Sequence, residues 1–176
     1  GLSATASPLP GERDLNFRMD AEDGRSFILK IYAPETDHGW LEAQDQLLAR
    51  LADQADGVPV PPLHADIEGR NTFTLHDANG QPRAIRCLGW LEGRLWSEAR
   101  QQQELDFSQI GRIMGRLDRA VAGFSHPAAK REFLWDIAQA PAHRRFLDLV
   151  VDAEIRRIVT SILDHYDSDL ATPLAG

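Results

Sequence analysis

The sequence has little cysteine, no long apolar run and no excess of basic charge, and each shortage excludes a class of protein. Because Cys87 is the only cysteine in 176 residues, an intramolecular disulfide is excluded and a reducing, cytoplasmic location is expected. No apolar run approaches the roughly 18 residues that a membrane-spanning helix needs. The 27 acidic residues outnumber the 19 basic ones, so the chain has no nucleic-acid-binding footprint. We therefore expect neither a membrane nor a nucleic acid as a partner.

Several catalytic motifs are missing as well. The chain contains no Gly-x-Ser-x-Gly nucleophile elbow and no Walker phosphate loop. Its six histidines are scattered without the spacing of metal ligands, and a single cysteine does not complete such a set. These absences argue against a serine hydrolase, a P-loop NTPase and a metal site built from histidine.

A change in the spacing of apolar residues divides the chain into a β-rich half and a helical half. Apolar, β-branched and aromatic runs bounded by turn residues predict five strands and one helix in the first half. The strands are predicted at residues 2–7, 15–19, 24–32, 72–75 and 83–88, and the helix at 38–55. In the second half, apolar residues recur every three or four positions, which predicts helices at 107–124 and 155–166 and shorter ones near 133–137 and 143–150. Asp152 is the expected N-cap of the last helix.

This order of elements predicts an α+β architecture with two lobes. Residues 1–88 form a five-stranded antiparallel small lobe that carries one helix, and residues 89–93 form a hinge. Residues 94–176 form a helical second lobe.

Lys30 stands in the most apolar part of a predicted strand, between Leu29 and Ile31. A cation in such surroundings needs a partner, because burying it alone costs several kcal/mol. Glu42 opens the helix that begins about ten residues later. Kinases hold ATP phosphates with a strand lysine that pairs with a helix glutamate, so we predict an ion pair between Lys30 and Glu42. Each residue taken alone is also compatible with an ordinary solvated side chain.

Two connecting segments complete a predicted nucleotide site. The turn between the first two strands contains Gly11, Glu12, Arg13, Asp14 and Asn16. Its backbone amides can donate to phosphate oxygens, and its glycine permits a close approach. The last strand ends at Leu88, Gly89, Trp90 and Leu91, whose backbone can offer N–H and C=O groups to a base. The alternatives are an ordinary polar turn and an ordinary linker with one packing tryptophan.

Seven short segments follow one another in a recognisable order. They are residues 11–17, 23–30, 41–44, 90–93, 110–117, 124–127 and 133–137. The first four resemble the small lobe of the aminoglycoside phosphotransferase and choline kinase superfamily. The last three narrow the resemblance to its hydroxylysine-kinase-like branch, which also occurs as a phosphotransferase domain fused to class III aminotransferases.

The resemblance implies a kinase that transfers a phosphoryl group from ATP or GTP, with Mg, to a hydroxyl group of a small amino compound such as hydroxylysine. It also implies a protein-kinase-like fold, in which residues 94–176 are the first helices of an incomplete helical large lobe, and it implies roles for individual residues. Lys30 would hold the α- and β-phosphates, Glu42 would orient Lys30, residues 11–16 would cover the phosphates, and residues 88–91 would hold the base.

The family's catalytic loop, His-x-Asp-x-x-x-x-Asn, is not found between residues 93 and 176, nor is the later Asp that binds metal. His165-Tyr166-Asp167 matches its first three positions only, in a helical pattern. We therefore expect the nucleotide-binding portion of a longer kinase, inactive as this fragment and with its Mg ligands beyond Gly176. Its exposed large-lobe helices would favour self-association. Two alternatives stay open: a non-catalytic regulatory or binding module, and the phosphotransferase domain of a multifunctional aminotransferase.

Overall fold

An antiparallel sheet forms the first half of the chain. The structure, a computed structural model, describes residues 3–54, 57–101, 106–131, 133 and 135–170. Within these ranges the sheet has six strands, in the order β1-β2-β3-β6-β4, and β5 also pairs with β6. The strands are β1 Ala4–Leu9, β2 Leu15–Ala21, β3 Ser26–Ile31, β4 Leu63–His64, β5 Phe73–His76 and β6 Pro82–Gly89. The predicted antiparallel sheet is thus confirmed, with one strand more than expected.

The extra strand, β4, has only two residues. It pairs Leu63 with Leu88 and His64 with Cys87, next to β6. Two prolines directly precede it, and they remove backbone donors and conceal the short pairing from a search for alternating residues.

The turns follow their local chemistry. Gly24 adopts a positive φ of 83° in the turn between β2 and β3. Gly80 does the same, with a φ of 75°, in the β5–β6 hairpin, where the Asp77 carboxylate accepts hydrogen bonds from the amides of Asn79 and Gln81. The first turn fixes the register between β2 and β3, and the second fixes the register between β5 and β6.

Helix α1, His38–Gln54, packs on one face of the sheet. Leu41 of this helix forms a buried cluster with Tyr32, which follows β3, and Ala84 of β6. The side chain of Arg50, near the other end of α1, donates to the carbonyl oxygens of Ala120 and Ala122, 2.6 and 2.5 Å away. The sheet and the later helix at Phe107–Val121 are therefore both anchored to α1.

The second half is helical. Its helices are α2 Trp96–Gln101, α3 Phe107–Val121 and α4 Ala153–His165, with 3-10 segments at Pro127–Ala129 and Ile137–Leu149 and a π-helical turn at Tyr166–Leu170. Asp152 caps α4 as predicted, because its carboxylate accepts hydrogen bonds from the amides of Glu154 and Ile155. One 3-10 segment, Ile137–Leu149, replaces the short helices expected near 133–137 and 143–150, and residues 132 and 134 lie outside the described ranges.

The chain divides into two compact units, Gly1–Ala129 and Lys130–Gly176. The first unit contains the sheet together with α1, α2 and α3, and the second contains α4. The lobe boundary expected at residues 89–93 stays a prediction. Across the described ranges, no helix has the length and apolar character of a membrane span.

Candidate functional site

A row of polar side chains crosses the sheet on the face that carries α1. Asn16 of β2 lies opposite Lys30 of β3, and Lys30 lies opposite Arg86 of β6. Residues directly opposite each other in antiparallel strands project to the same face, so these three side chains are neighbours. Two cations therefore stand side by side on the sheet, which is unfavourable unless each finds an anion.

Lys30 contacts its partners at the end of this face that lies next to the loop of residues 10–16. Its ammonium donates to Asn16 Oδ1 at 2.9 Å and lies 3.6 Å from Asp14 Oδ2. It also lies 5.4 Å from the centre of the Tyr32 ring, within the range of a cation–π contact. The side chain is 28% exposed, so a solvent-borne anion can reach the ammonium.

The segment before β2 folds tightly around Asn16. The Asn16 amide nitrogen donates to the carbonyl oxygens of Pro10 and Asp14, at 3.2 and 3.5 Å. A side chain at Gly11 would collide with the Asp14 carbonyl and with the Asn16 amide, so this conformation requires glycine. The loop, residues 10–16, is thereby tied through one asparagine to the ammonium of Lys30.

Of the other loop residues, one fixes the loop to the sheet and two are exposed to solvent. Asp14 Oδ1 accepts a hydrogen bond of 3.2 Å from the amide of Ala33, which fixes the loop to the end of β3. Glu12 is exposed, and Arg13 forms an exposed ion pair with Glu35. Of the loop residues predicted for the site, Gly11, Asp14 and Asn16 are brought to Lys30, and Glu12 and Arg13 are directed elsewhere.

The expected ion pair between Lys30 and Glu42 is not formed, and both residues lie in the described part of the chain. Glu42 is exposed on α1, where its carboxylate accepts a hydrogen bond of 3.3 Å from Gln46. The physical reason is the rotation of the helix. Leu41 is buried against the sheet, and the residues that share its stripe are three and four positions later, whereas Glu42 is turned away by about 100°.

The ion pair between sheet and helix exists, but it joins other residues. Arg86 is only 1% exposed, and its guanidinium pairs with the Asp45 carboxylate of α1. The same guanidinium donates to Gln44 Oε1 at 3.2 Å and to the Tyr32 hydroxyl at 3.3 Å. Burial raises the pKa of the Tyr32 phenol, because the ionised form would lose its hydration.

Arg86 and Asp45 were missed by the sequence analysis, although a signal was present. Arg86 is a cation among Ala84, Ile85 and Cys87, the same kind of apolar setting that singled out Lys30. Asp45 lies four positions after Leu41, on the buried stripe of the helix.

Part of the predicted base-binding segment, residues 88–91, is hydrogen-bonded within the sheet. The amide of Gly89 donates to the Pro62 carbonyl at 2.8 Å, and the amide of Trp90 donates to the Ser26 carbonyl at 3.2 Å. Leu88 pairs with Ile28 in the ladder, and Leu91 is 42% exposed. The N–H groups of Gly89 and Trp90 are therefore both used inside the sheet.

The arrangement suits a phosphate group better than a metal ion. A partly exposed ammonium, a tight glycine-containing loop and an amide side chain are groups that bind phosphate oxygens. Among the residues that the structure describes, no cluster of three or more His, Cys, Asp or Glu side chains could hold a metal.

Comparison with protein families gives one match that covers nearly the whole chain. The model of the phosphotransferase enzyme family matches residues 5–174. Hydroxylysine kinase from Mus musculus is 26% identical over 186 residues, which is 96% of this chain and 48% of the mouse protein. The chain thus spans about half the length of the curated relatives it matches.

Two solved structures share the fold at low sequence identity. Amicoumacin kinase, in complex with AMP-PNP, Ca²⁺ and amicoumacin, superposes with a TM-score of 0.67 and 18% identity over 94% of this chain and 48% of that protein. A microcompartment-associated aminopropanol kinase superposes with a TM-score of 0.58 and 20% identity over 78% of this chain and 41% of that protein.

Proposed function

Because the chain belongs to the phosphotransferase enzyme family, we propose that it is the nucleotide-binding portion of a small-molecule kinase. In this proposal Lys30 contacts the phosphates of ATP or GTP, and the loop of residues 10–16 covers them. The sequence resemblance to this superfamily is confirmed by the family match over residues 5–174. The α+β, kinase-like fold class is confirmed by the superposition with amicoumacin kinase.

The environment of Lys30 is the observation that carries the proposal. The chain has only two lysines, Lys30 and Lys130, although it has many arginines. One of the two lies on the sheet beneath a tight loop, half-buried and held by an amide oxygen at 2.9 Å. A compact ammonium with a free direction toward solvent is suited to contact phosphate as a point charge.

The acceptor in this proposal is a hydroxyl group of a small amino compound. The named relatives and neighbours act on hydroxylysine, aminopropanol and amicoumacin. The names hydroxylysine and aminopropanol each denote an amine that also carries a hydroxyl, which supports an amino alcohol as the acceptor class. The proposed co-substrate is a nucleoside triphosphate with Mg²⁺, and the amicoumacin kinase complex with AMP-PNP and Ca²⁺ supports a nucleotide with a divalent ion. In this proposal Lys30 and the loop of residues 10–16 bind nucleotide, and the chain of 176 residues is inactive by itself.

The two lysines allow a direct test in the full-length protein. We expect Lys30→Ala to abolish the rise in melting temperature that MgATP or MgGTP causes in the wild type, because the main phosphate-binding cation is removed. Lys130→Ala is the matched control, since it deletes the other lysine outside the loop and the sheet. An equal nucleotide response in wild type and Lys30→Ala would refute the role of Lys30.

Amine labelling supplies a second readout that does not depend on melting. With only two lysines in the chain, mass spectrometry after limited acetylation can report on each one separately. We expect bound nucleotide to slow the modification of Lys30 and to leave that of Lys130 unchanged. Equal rates at Lys30 with and without nucleotide would contradict the proposal.

A further inference from the structure

We infer that Arg18 is the residue against which the nucleotide base stacks, on a platform that Arg18 forms together with Trp90. This inference rests on the proposed function, and it assigns a role to a side chain that the sequence analysis did not select. The guanidinium of Arg18 lies over the Trp90 ring, 4.4 Å from its centre. Both residues are on the face of the sheet that carries Lys30.

The strand register shows how far this platform lies from Lys30 along β3. Arg18 lies opposite Ile28, two residues before Lys30 on β3, which is about 7 Å along the strand. Trp90 bonds through its amide to Ser26, four residues before Lys30, which is about 14 Å. A ligand whose phosphates meet Lys30 and which runs along this face reaches Arg18 and Trp90 with its base.

The surface between Lys30 and the platform is apolar and open. Ile28 and Leu88 pair with each other on the same face, and both are only half-buried. The α1 helix packs at the opposite end of this face, against Tyr32 and Ala84. Two aliphatic side chains next to a stacked guanidinium are suited to the flat, weakly polar faces of a base.

Neighbouring groups hold the guanidinium of Arg18 in place. Its Nε donates to Asp20 Oδ1 at 2.8 Å, and its Nη2 lies 3.4 Å from the Ser26 hydroxyl. That hydroxyl donates to the same Asp20 oxygen at 2.6 Å. The Ser26 hydroxyl, and then the Arg18 side chain, lower the pKa of the Asp20 carboxyl, so it stays ionised at neutral pH.

This fixation favours a base over a phosphate as the ligand of Arg18. The charge of the guanidinium is already paired with Asp20, which reduces its attraction for a second anion. What remains available is a flat, oriented surface, and arginine planes and aromatic rings are the groups on which nucleobases stack. Arg18 is therefore assigned to the base and Lys30 to the phosphates.

The test compares a ligand that has a base with one that lacks it, in the full-length protein. We expect Arg18→Ala to weaken MgATP or MgGTP binding, whichever binds the wild type more tightly, by roughly 5- to 150-fold. Inorganic tripolyphosphate should compete for the wild type and for Arg18→Ala with the same affinity, because it has no base. Lys30→Ala should weaken both ligands.

Two further variants separate stacking from charge and from folding. Arg18→Lys keeps the charge but loses the plane, so nucleotide binding should be weakened nearly as much as in Arg18→Ala. Arg25→Ala is the matched control, because Arg25 also lies over an aromatic ring, that of Phe27, 5.5 Å away on the opposite face of the sheet. It should bind nucleotide as the wild type does.

Four outcomes would overturn the assignment. They are wild-type nucleotide affinity in Arg18→Ala, wild-type affinity in Arg18→Lys, an equal loss of nucleotide and tripolyphosphate binding in Arg18→Ala, and a loss in Arg25→Ala as large as in Arg18→Ala. A wild-type protein that binds neither nucleotide nor tripolyphosphate would overturn the proposed function as well. Nucleotide binding that depends on Lys30 but not on Arg18 would leave the proposed function standing and remove only the inference.

Discussion

At the scale of single residues, two anions compete for the ammonium of Lys30 in the proposed function. The Asp14 carboxylate lies 3.6 Å away in the structure, and a nucleotide phosphate would need the same cation. Asp14 is held in position by the amide of Ala33, so it does not move away without losing a hydrogen bond. A carboxylate that stays near Lys30 repels an incoming phosphate, and removing its charge should favour the ligand.

We therefore expect Asp14→Asn to tighten nucleotide binding. Both side chains are about one quarter exposed, so water screens the interaction and the gain should be modest, roughly twofold to fivefold in Kd. Isothermal titration of the full-length protein with MgATP and MgGTP would measure it. Glu12→Gln removes the same charge from the same loop, but Glu12 is exposed and makes no contact with Lys30, so its Kd should change less. Weaker binding in Asp14→Asn would show instead that Asp14 orients Lys30.

The sequence allowed the need for a partner at Lys30 to be predicted, but not the identity of that partner. A cation between Leu29 and Ile31 must be neutralised, and this follows from polarity alone. The structure supplies Asn16 and Asp14, which come from a loop whose close packing depends on Gly11. Which nearby anion reaches a cation depends on loop geometry and strand register, and neither is encoded in the local pattern of residues.

At the scale of secondary structure, α1 shows where pattern reasoning succeeds and where it stops. The helix predicted at 38–55 is observed at His38–Gln54. Leu41 faces the sheet as its apolar periodicity requires. The rotation that buries Leu41 also directs Asp45 to the sheet and Glu42 to solvent. Glu42, the predicted partner of the sheet cation, lies one position away from the apolar stripe, whereas Asp45 lies on the stripe.

The buried Arg86–Asp45 ion pair should contribute more to stability than the exposed Glu42 of the same helix, and two variants can measure the difference. We expect Asp45→Ala to lower the free energy of unfolding by roughly 3 kcal/mol, because it leaves the guanidinium of the 1%-exposed Arg86 without its carboxylate. Glu42→Ala, on the exposed side of the same helix, should change it by no more than about 0.5 kcal/mol. Denaturant unfolding followed by circular dichroism gives both values. Equal effects of the two substitutions would mean that the Arg86–Asp45 pair does not anchor α1.

Other elements were harder to predict, for different physical reasons. The two-residue strand β4 is stabilised by pairing with β6 and not by its own composition. The 3-10 segment Ile137–Leu149 contains Pro141, which removes a backbone donor in the middle of a helical pattern. In both cases tertiary contacts or a single proline outweighed the local periodicity.

At the scale of the whole molecule, the balance between apolar surface and charge determines how the chain behaves in solution. The chain carries a net charge of −8, which opposes association. Large apolar side chains are nevertheless exposed on α3 and α4: Phe107, Ile113 and Met114 on α3, and Ile155, Ile158 and Ile162 on α4. Apolar faces of this kind on a helix favour contact with another surface. A short-range apolar attraction between such faces is thus opposed by a long-range repulsion between like charges.

We expect the 176-residue chain to self-associate as its concentration increases, and to do so more strongly at high salt, because salt screens the charge repulsion but not the apolar contact. Light-scattering mass across a range of concentrations would measure the association. Ile162→Asp, at a side chain that is 62% exposed, should weaken it. Ser161→Asp adds the same charge at the exposed neighbouring position of α4 and removes no apolar group, so it should weaken the association less. A constant monomer mass at high concentration and high salt would refute the role of these helix faces, and equal effects of the two substitutions would assign the change to charge alone.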